Sequence, residues 1–181
     1  MTNSGTVTVF GSSRASPDDS LYQDSRRLGR LLAEAGYAVC SGGYAGVMEA
    51  VSLGAAEAGG TAIGVTVETW TTRPNRWLTS EVATPHLFDR LARLMASDAF
   101  VAMAGGPGTL GEVAITWNLF QTASIPIRPL VVVGPAWRRA LVRLAEDFRI
   151  TPSDLSLLRT VDTVDQVVPA IRSPREPRRS A

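Results

Sequence analysis

The sequence contains no lysine, since all 18 of its basic residues are arginine. This absence excludes an enzyme that binds pyridoxal phosphate through a lysine Schiff base. It also excludes a P-loop, whose lysine contacts the β- and γ-phosphates. The single histidine, His86, and the single cysteine, Cys40, exclude an internal disulfide, a multi-histidine metal site and a cysteine-built metal site. We therefore expect a protein that works without a cofactor and without a metal ion.

A strong charge and long hydrophobic runs are also missing. The net charge is only +1, and the Pro/Arg/Ser segment 173–181 contributes to it, so the body lacks the basic excess typical of nucleic-acid binding. No apolar run is as long as a membrane span, and the N-terminus lacks a signal-peptide pattern. We expect no nucleic-acid or membrane partner, a cytoplasmic location, and one domain over 1–172 followed by a disordered tail over 173–181.

Short apolar or β-branched runs alternate with segments of helical spacing along the whole chain. We predict strands over residues 6–10, 37–40, 61–66, 81–84, 99–103, 129–133 and 157–161. We predict helices over residues 21–35, 47–58, 85–96, 113–120, 137–148 and 164–171, and we expect the third of them to face inward with Leu87, Leu91, Leu94 and Met95. This alternation predicts an α/β protein of three layers, a Rossmann-like, doubly wound, mainly parallel sheet with helices on both faces.

Three turns rich in glycine or serine directly follow predicted strands: Gly11 to Arg14, Ser41 to Gly46, and Gly105 to Thr109. The carboxyl ends of parallel strands meet at one edge of a sheet, and ligands bind there where the strand order reverses. Glycine lets the backbone approach a ligand, and the N–H groups of a following helix favour an anion. The three turns together therefore predict a ligand that carries phosphate.

The third turn is the strongest candidate for holding that phosphate, because a helix follows it at once. The second turn has two interpretations, contact with the same ligand or close packing of a helix on a strand, and a serine after the first strand has a capping alternative. The candidate phosphate- or nucleotide-binding residues are Gly105, Gly106, Gly108, Thr109, Gly42, Gly43, Gly46, Ser13 and Arg93.

Glu112 places an acid beside this presumed phosphate site. Thr109 and Glu112 have the spacing of a capping box, in which the two side chains satisfy amides at the start of a helix. Alternatively, the carboxylate stabilises a cationic transition state or activates water, as carboxylates do in glycoside hydrolysis. Spacing alone leaves both roles open.

The three turns together resemble those of the Lonely guy (LOG) family, the "lysine decarboxylase-like" Rossmann-fold proteins. The family has a Gly-Ser-Ser turn, a Gly-Gly-x-x-Gly-x-Met turn and the signature Pro-Gly-Gly-x-Gly-Thr-x-x-Glu. The counterparts here are Gly11-Ser12-Ser13, the stretch from Gly42 to Met48, and Ala104 to Glu112. The resemblance covers about residues 6 to 140, and a decarboxylase of that label is excluded by the missing lysine.

The resemblance implies a homodimer that hydrolyses the N-glycosidic bond of a nucleoside 5′-monophosphate, such as AMP or an N6-modified AMP. It implies Glu112 as a catalytic residue. The alternative is a protein of the same fold that binds or carries a nucleotide or a cofactor phosphate without cleaving it. Trp70 and Trp77 lie in an aperiodic stretch over 67–80 that is interpreted either as a loop stacking on a base or as a plain surface loop.

Two positions depart from the family pattern. Ala104 stands where the signature begins with proline. The cytokinin-activating members also carry an Arg-Lys pair on the preceding helix, and an ungapped count puts Asp89 in the arginine's place, whereas a shift of one residue puts Arg90 there. We predict Arg90 as the second catalytic residue, and the alternative for Arg90 and Arg93 is a solvated helix face.

Overall fold

The computed structural model describes residues 4–174, and the strands within that range form one parallel sheet of seven. The strands are β1 Thr6–Phe10, β2 Ala38–Ser41, β3 Ala62–Val67, β4 Ser80–Thr84, β5 Ala99–Ala102, β6 Leu130–Val133 and β7 Arg159–Val161. The helices are α1 Ser20–Glu34, α2 Val47–Glu57, α3 Leu87–Leu94, α4 Pro107–Gln121, α5 Pro135–Asp147, α6 Pro152–Leu155 and α7 Val167–Arg172, with a 3₁₀ turn over Val164–Gln166.

Helices cover both faces of this sheet, as alternation along β1 shows. Val7 and Val9 pack in a core with residues of α1, α2 and α7, whereas Phe10 packs in a second core with residues of α3, α4 and α5. Successive side chains of a strand point to opposite faces, so β1 contributes to both cores. The predicted three-layer, Rossmann-like α/β fold is confirmed.

The strand order is β4-β3-β2-β1-β5-β6-β7, and it reverses between β1 and β5. β1 pairs with β2 on one side and with β5 on the other, where Phe10 lies opposite Ala102. The turns that follow these two strands are joined by a hydrogen bond of 3.1 Å from the Ser12 amide to the Ala104 carbonyl. The crevice expected for a ligand therefore lies beyond Phe10 and Ala102.

The start of α4 differs from the prediction. The helix begins at Pro107 rather than at residue 113, with Gly106 as its N-cap. Proline is favoured at the first helical position, where its missing N–H costs nothing. Because glycine and proline are poor helix formers, the sequence Gly106-Pro107-Gly108 does not by itself indicate the start of a helix.

The inward face of α3 also differs from the prediction. Leu87, expected inside, is 43% exposed, whereas Arg90, one turn before the fully buried Leu94, is only 6% exposed. Residues four apart share one side of a helix, so Arg90 and Leu94 define the side that faces the sheet.

The C-terminal part holds two smaller differences. α6 was not predicted, and the helix expected over 164–171 is divided into the 3₁₀ turn and α7. This division places Pro169 in the first turn of α7, where proline is tolerated. Within residues 4–174, no helix combines the length and the apolar character that crossing a bilayer requires. The predicted tail lies outside the described residues from 175 onward, and the domain boundary stays a prediction.

Candidate functional site

A cavity of about 830 Å³ opens where the strand order reverses. The turns after β1 and β5 form much of its wall, and side chains from the turn after β2, the loop after β3, and helices α2, α3 and α4 complete it. Its lining includes Gly11, Ser12, Ser13, Arg14, Tyr44, Met48, Trp70, Thr72, Arg90, Gly105, Gly106, Pro107, Gly108, Thr109 and Glu112.

The start of α4 forms one end of this cavity. Gly106 caps the helix without a side-chain hydrogen bond, and Gly105, Gly106 and Gly108 are all exposed. A Cβ added at Gly106 or Gly108 would meet nothing within 4 Å, so a ligand has access to the backbone there. The first amides of a helix lack intrahelical acceptors and favour an anion. This part of the cavity, residues 105–109, is therefore suited to a phosphate, and we call it the phosphate wall.

Thr109 and Glu112 do not form the capping box. Because α4 begins at Pro107, Thr109 lies at the third helical position rather than at the N-cap, and its side chain is buried over Gly105. Glu112 is therefore within the helix, and its carboxylate is not used as a cap. It lines the cavity instead.

The carboxylate of Glu112 faces the guanidinium of Arg90, with 3.4 Å between Oε1 and Nη1. The two side chains are 14% and 7% exposed, respectively. Arg90 is fixed by a second hydrogen bond of 2.8 Å from Nε to the carbonyl oxygen of Val65 in β3. The pair thus joins α3 to α4 and to the sheet inside the cavity wall. Asp89, the residue that the ungapped count put in the arginine's place, is exposed.

Burial raises the pKa of Glu112 above its usual value of 4.5, and the positive charge of Arg90 opposes this increase without cancelling it. Removing a carboxylate from water disfavours its charged form. A carboxyl group of raised pKa holds a proton more readily than an ordinary one, which is a property of acid–base catalysts.

The glycines of the second turn do not line the cavity. A Cβ at Gly42 would overlap Nη2 of Arg90, and one at Gly46 would overlap the Ser12 carbonyl. Gly43 and Gly46 also have positive φ angles of 78° and 71°, which favour glycine. Of the two interpretations of these residues, the geometry supports close packing, and Gly42 makes room for the arginine.

The first turn and α3 place the remaining candidates differently. Ser13 and Arg14 line the cavity, and the Arg14 side chain forms no ion pair with any residue in 4–174. Arg93 does not line it. That side chain borders a separate cavity of about 230 Å³ with Cys40 and Asp98, because it lies on another side of α3 from Arg90. The geometry thus does not bring Arg93 together with the other candidates, and nucleotide binding by Arg93 stays a prediction.

Two aromatic side chains of the wall were not among the predicted site residues. Tyr44 occupies a variable position of the Gly-Gly-x-x-Gly turn, and Trp70 lies in the loop after β3. Their ring centroids are 5.5 Å apart at an interplanar angle of 32°. The sequence signal that could have found Tyr44 is its place in a turn that directly follows a strand at the ligand-binding edge.

Solved structures with this fold include two proteins that cover nearly the whole chain. The molybdenum cofactor binding protein of Rippkaea orientalis covers 92% of this chain with a TM-score of 0.73 at 22% identity, over 93% of its own length. The molybdenum cofactor carrier protein of Chlamydomonas reinhardtii also covers 92%, with a TM-score of 0.71 at 25% identity, over 95% of its own length.

Sequence comparison finds two relatives. An uncharacterized protein of Archaeoglobus fulgidus is 30% identical over 118 residues, which is 65% of this chain and 78% of that protein. A cytokinin riboside 5′-monophosphate phosphoribohydrolase of Rhodococcoides fascians is 29% identical over 181 residues, 93% of this chain and 89% of that protein. The family model of SLOG cluster4 matches residues 4–125, which include all three turns, Arg90 and Glu112. The resemblance to LOG proteins is thus confirmed, and the chain belongs to the SLOG cluster4 family.

Proposed function

We propose that the protein hydrolyses the N-glycosidic bond of a nucleoside 5′-monophosphate, AMP or an N6-modified AMP, to the free base and ribose 5-phosphate. The observation that carries this proposal is the buried pair of Glu112 and Arg90 in the wall of a cavity that ends at a helix start. The name of the Rhodococcoides fascians relative, a phosphoribohydrolase, supports the same reaction.

In this proposal, the 5′-phosphate binds to the amides of Gly106, Gly108 and Thr109 at the start of α4. The ribose then lies against Glu112, which is one helical turn beyond Thr109. This order places the anomeric carbon near a carboxylate, as the chemistry of glycoside cleavage requires.

Glu112 performs the chemical step. As the bond between the base and C1′ breaks, positive charge develops on the sugar, and the carboxylate stabilises it. The same carboxylate accepts a proton from the water that adds to C1′ and passes it to the base, which leaves with the electron pair of the broken bond, so that Glu112 is ionised again at the end. Arg90, held by Val65, orients the carboxylate and stabilises its ionised form.

A second candidate is a carrier that binds such a ligand without cleaving it. The observation in its favour is the likeness to the Chlamydomonas reinhardtii carrier, at 25% identity over 92% of this chain. The carrier needs the phosphate wall but does not need a carboxylate of raised pKa. Turnover therefore separates the two candidates.

We further propose a homodimer formed through the outer faces of α3 and α4. Phe88 is 80% exposed on α3, and Leu110 is 53% exposed and Ile115 38% exposed on α4. The apolar residues of α4 are not confined to its buried side, since Val113 and Phe120 are buried whereas Leu110 and Ile115 are exposed. Such a pattern is typical of a helix that is covered on its outer face. Light scattering on the purified protein is expected to give twice the chain mass, and a monomer would contradict this proposal.

The expected cytoplasmic location stays a prediction.

The deciding experiment is incubation of the protein with AMP and with a panel of other nucleoside monophosphates, followed by chromatography for free base. Release of base by the wild type, lost in Glu112→Gln, is the expected result. Tight binding without release would contradict the hydrolase and favour the carrier. The absence of binding to any nucleotide in the panel would contradict both functions for these ligands.

A further inference from the structure

The end of the cavity away from the phosphate wall is aromatic. Tyr44 is 5% exposed, and it packs against Trp70, which is 43% exposed and lines the cavity. The indole contacts the Tyr44 ring and lies 5.5 Å from the guanidinium carbon of Arg90, and 43% of the residue is still exposed. A large apolar ring left half exposed at a cavity wall is the typical environment for a ligand with an apolar face.

Hydrogen bonds hold this aromatic wall in place, although residues 68–79 form no helix or strand. The Val67 amide donates to the Tyr44 hydroxyl at 2.9 Å, and the Trp70 amide donates to the Val67 carbonyl at 3.1 Å. Asn75 donates to the Gly43 carbonyl from its backbone amide at 2.8 Å and from Nδ2 at 3.1 Å. Because these bonds hold the backbone that carries the indole, binding a ligand would cost little free energy for ordering the loop.

The groups of the cavity follow one another in an order that matches a nucleotide. Thr109 at the phosphate wall is followed along α4 by Glu112, whose carboxylate lies 3.4 Å from the Arg90 guanidinium. The guanidinium carbon of Arg90 is in turn 5.5 Å from the centroid of the Trp70 ring. The phosphate turn follows β5, and the loop with Trp70 follows β3, three strand intervals away. Three intervals span roughly 14 Å, a distance on the scale of a nucleotide from its phosphate to the far edge of its base.

We propose that Trp70, supported by Tyr44, is the base-recognition residue and stacks on the purine of the substrate. The identity of the ligand as a nucleotide rests on the proposed function. Every base presents an aromatic face, so stacking on an indole selects for a planar ring and against a sugar phosphate that lacks one. The competing role for Trp70 is to keep Arg90 in position by a cation–π contact.

The test compares the binding of AMP with the binding of ribose 5-phosphate, which has the same sugar and phosphate but no base. Dissociation constants are measured by calorimetry in a Glu112→Gln background, which prevents turnover. Trp70→Leu is expected to weaken AMP binding by roughly 5- to 150-fold and ribose 5-phosphate binding by less than about twofold. Trp70→Phe keeps an aromatic ring and is expected to retain most of the affinity for AMP.

Trp77→Leu is the matched control, because Trp77 belongs to the same loop, contacts Arg76 and does not line the cavity. It is expected to leave both dissociation constants unchanged, and thermal unfolding verifies that each variant is folded. If Trp70→Leu weakens the binding of both ligands equally, base stacking is overturned, and the role of Trp70 is to keep Arg90 in position. No weakening, or no binding of AMP at all, would overturn the proposal as well. AMP binding that depends on Trp70, without release of base by the wild type, would overturn the hydrolase and leave base stacking in place.

Discussion

Glu57 and Glu112 each face an arginine, yet the pKa of one carboxyl group is lowered and that of the other is raised. Glu57 ends α2 and binds Arg26 and Arg30 of α1, and these hydrogen bonds lower its pKa. Glu112 has one arginine at 3.4 Å, and burial raises its pKa. Arginine thus favours the charged form of the carboxyl group at the surface, whereas in the cavity burial disfavours that form more than one arginine favours it. Carboxyl groups with a pKa raised by burial are frequent at functional sites.

The largest effect is expected from Glu112→Gln, which removes the ionisable group and keeps the shape. We expect AMP hydrolysis to fall by roughly 10²- to 10⁴-fold, because the amide neither accepts a proton nor stabilises positive charge. The variant is expected to remain folded, because the amide oxygen of glutamine is still able to accept a hydrogen bond from Arg90. Release of base by chromatography and thermal unfolding measure the two effects, and wild-type turnover in the variant would show that Glu112 is not catalytic.

Arg90→Leu is expected to disturb the same pair from its other side. The change leaves Glu112 buried without a cation and the Val65 carbonyl without its donor, so we expect a loss of about 3–5 kcal/mol in the free energy of unfolding. Urea denaturation measures this loss. The double variant with Glu112→Gln should recover part of it, because the uncompensated carboxylate is then absent. A single variant as stable as the wild type would show that the pair is not coupled to folding.

Gly42→Ala tests the environment of Glu112 in a second way, because it displaces the Arg90 side chain without removing it. The new methyl group overlaps Nη2 of Arg90 and would lie 2.6 Å from the sulfur of Met48, so we expect a loss of about 1–3 kcal/mol in stability together with lower AMP turnover. Gly111→Ala is the matched control, because a Cβ there meets nothing within 4 Å. That control is expected to be neutral or slightly stabilising, as alanine favours the helix. Equal effects of the two variants would contradict the role of Gly42.

The smallest effects are expected in the pH dependence of stability, and they differ in sign. Because the pKa of Glu112 is raised, the native state keeps a proton that the unfolded chain has released, so the contribution of Glu112 to stability falls as the pH rises above 4.5. The pKa of Glu57 is lowered, so its contribution is present above 4.5 and is lost as the pH falls through the folded pKa.

Unfolding free energies of the wild type, Glu112→Gln and Glu57→Gln, measured from about pH 4 to about pH 8, test these signs. The wild type is expected to lose stability relative to Glu112→Gln as the pH increases, and to gain stability relative to Glu57→Gln. Glu57→Gln is also expected to lower the melting temperature by no more than about 3 °C. If the stability of the wild type relative to each variant changes with pH in the same direction for both, the comparison between the two glutamates is contradicted.

The fold was largely predictable because its signals are local. The run Thr6–Phe10 matches its predicted bounds, and the glycine turns mark the ligand-binding edge where strands end. The errors arise where a distant residue decides the outcome. Arg90 is buried because Gly42, far away in the sequence, has no side chain, and no helical periodicity contains that information. Leu87 is exposed for the same reason, since the arginine occupies the inward side of α3.

The site was predictable in part. The glycines after β5 were candidates because a helix follows them, and Glu112 was predicted to be catalytic from the family resemblance. The capping-box alternative depended on a helix start at Pro107 that the sequence did not indicate. For the aromatic wall, stacking on a base was one of two interpretations of the loop with Trp70. Tyr44 was not singled out, because hydrogen bonds between the loop and the second turn, rather than a motif, bring the two residues together. The pairing of Arg90 with Glu112 required the three-dimensional arrangement of two helices.

The turn over residues 42–46 supports two parts of the cavity at once. Gly42 makes room for Arg90, while the Gly43 carbonyl anchors Asn75 and the Tyr44 ring packs against Trp70. Any displacement of this turn from the aromatic end would also change the space that Gly42 leaves for the arginine. Five residues of backbone therefore position both the cation beside Glu112 and the support of the indole.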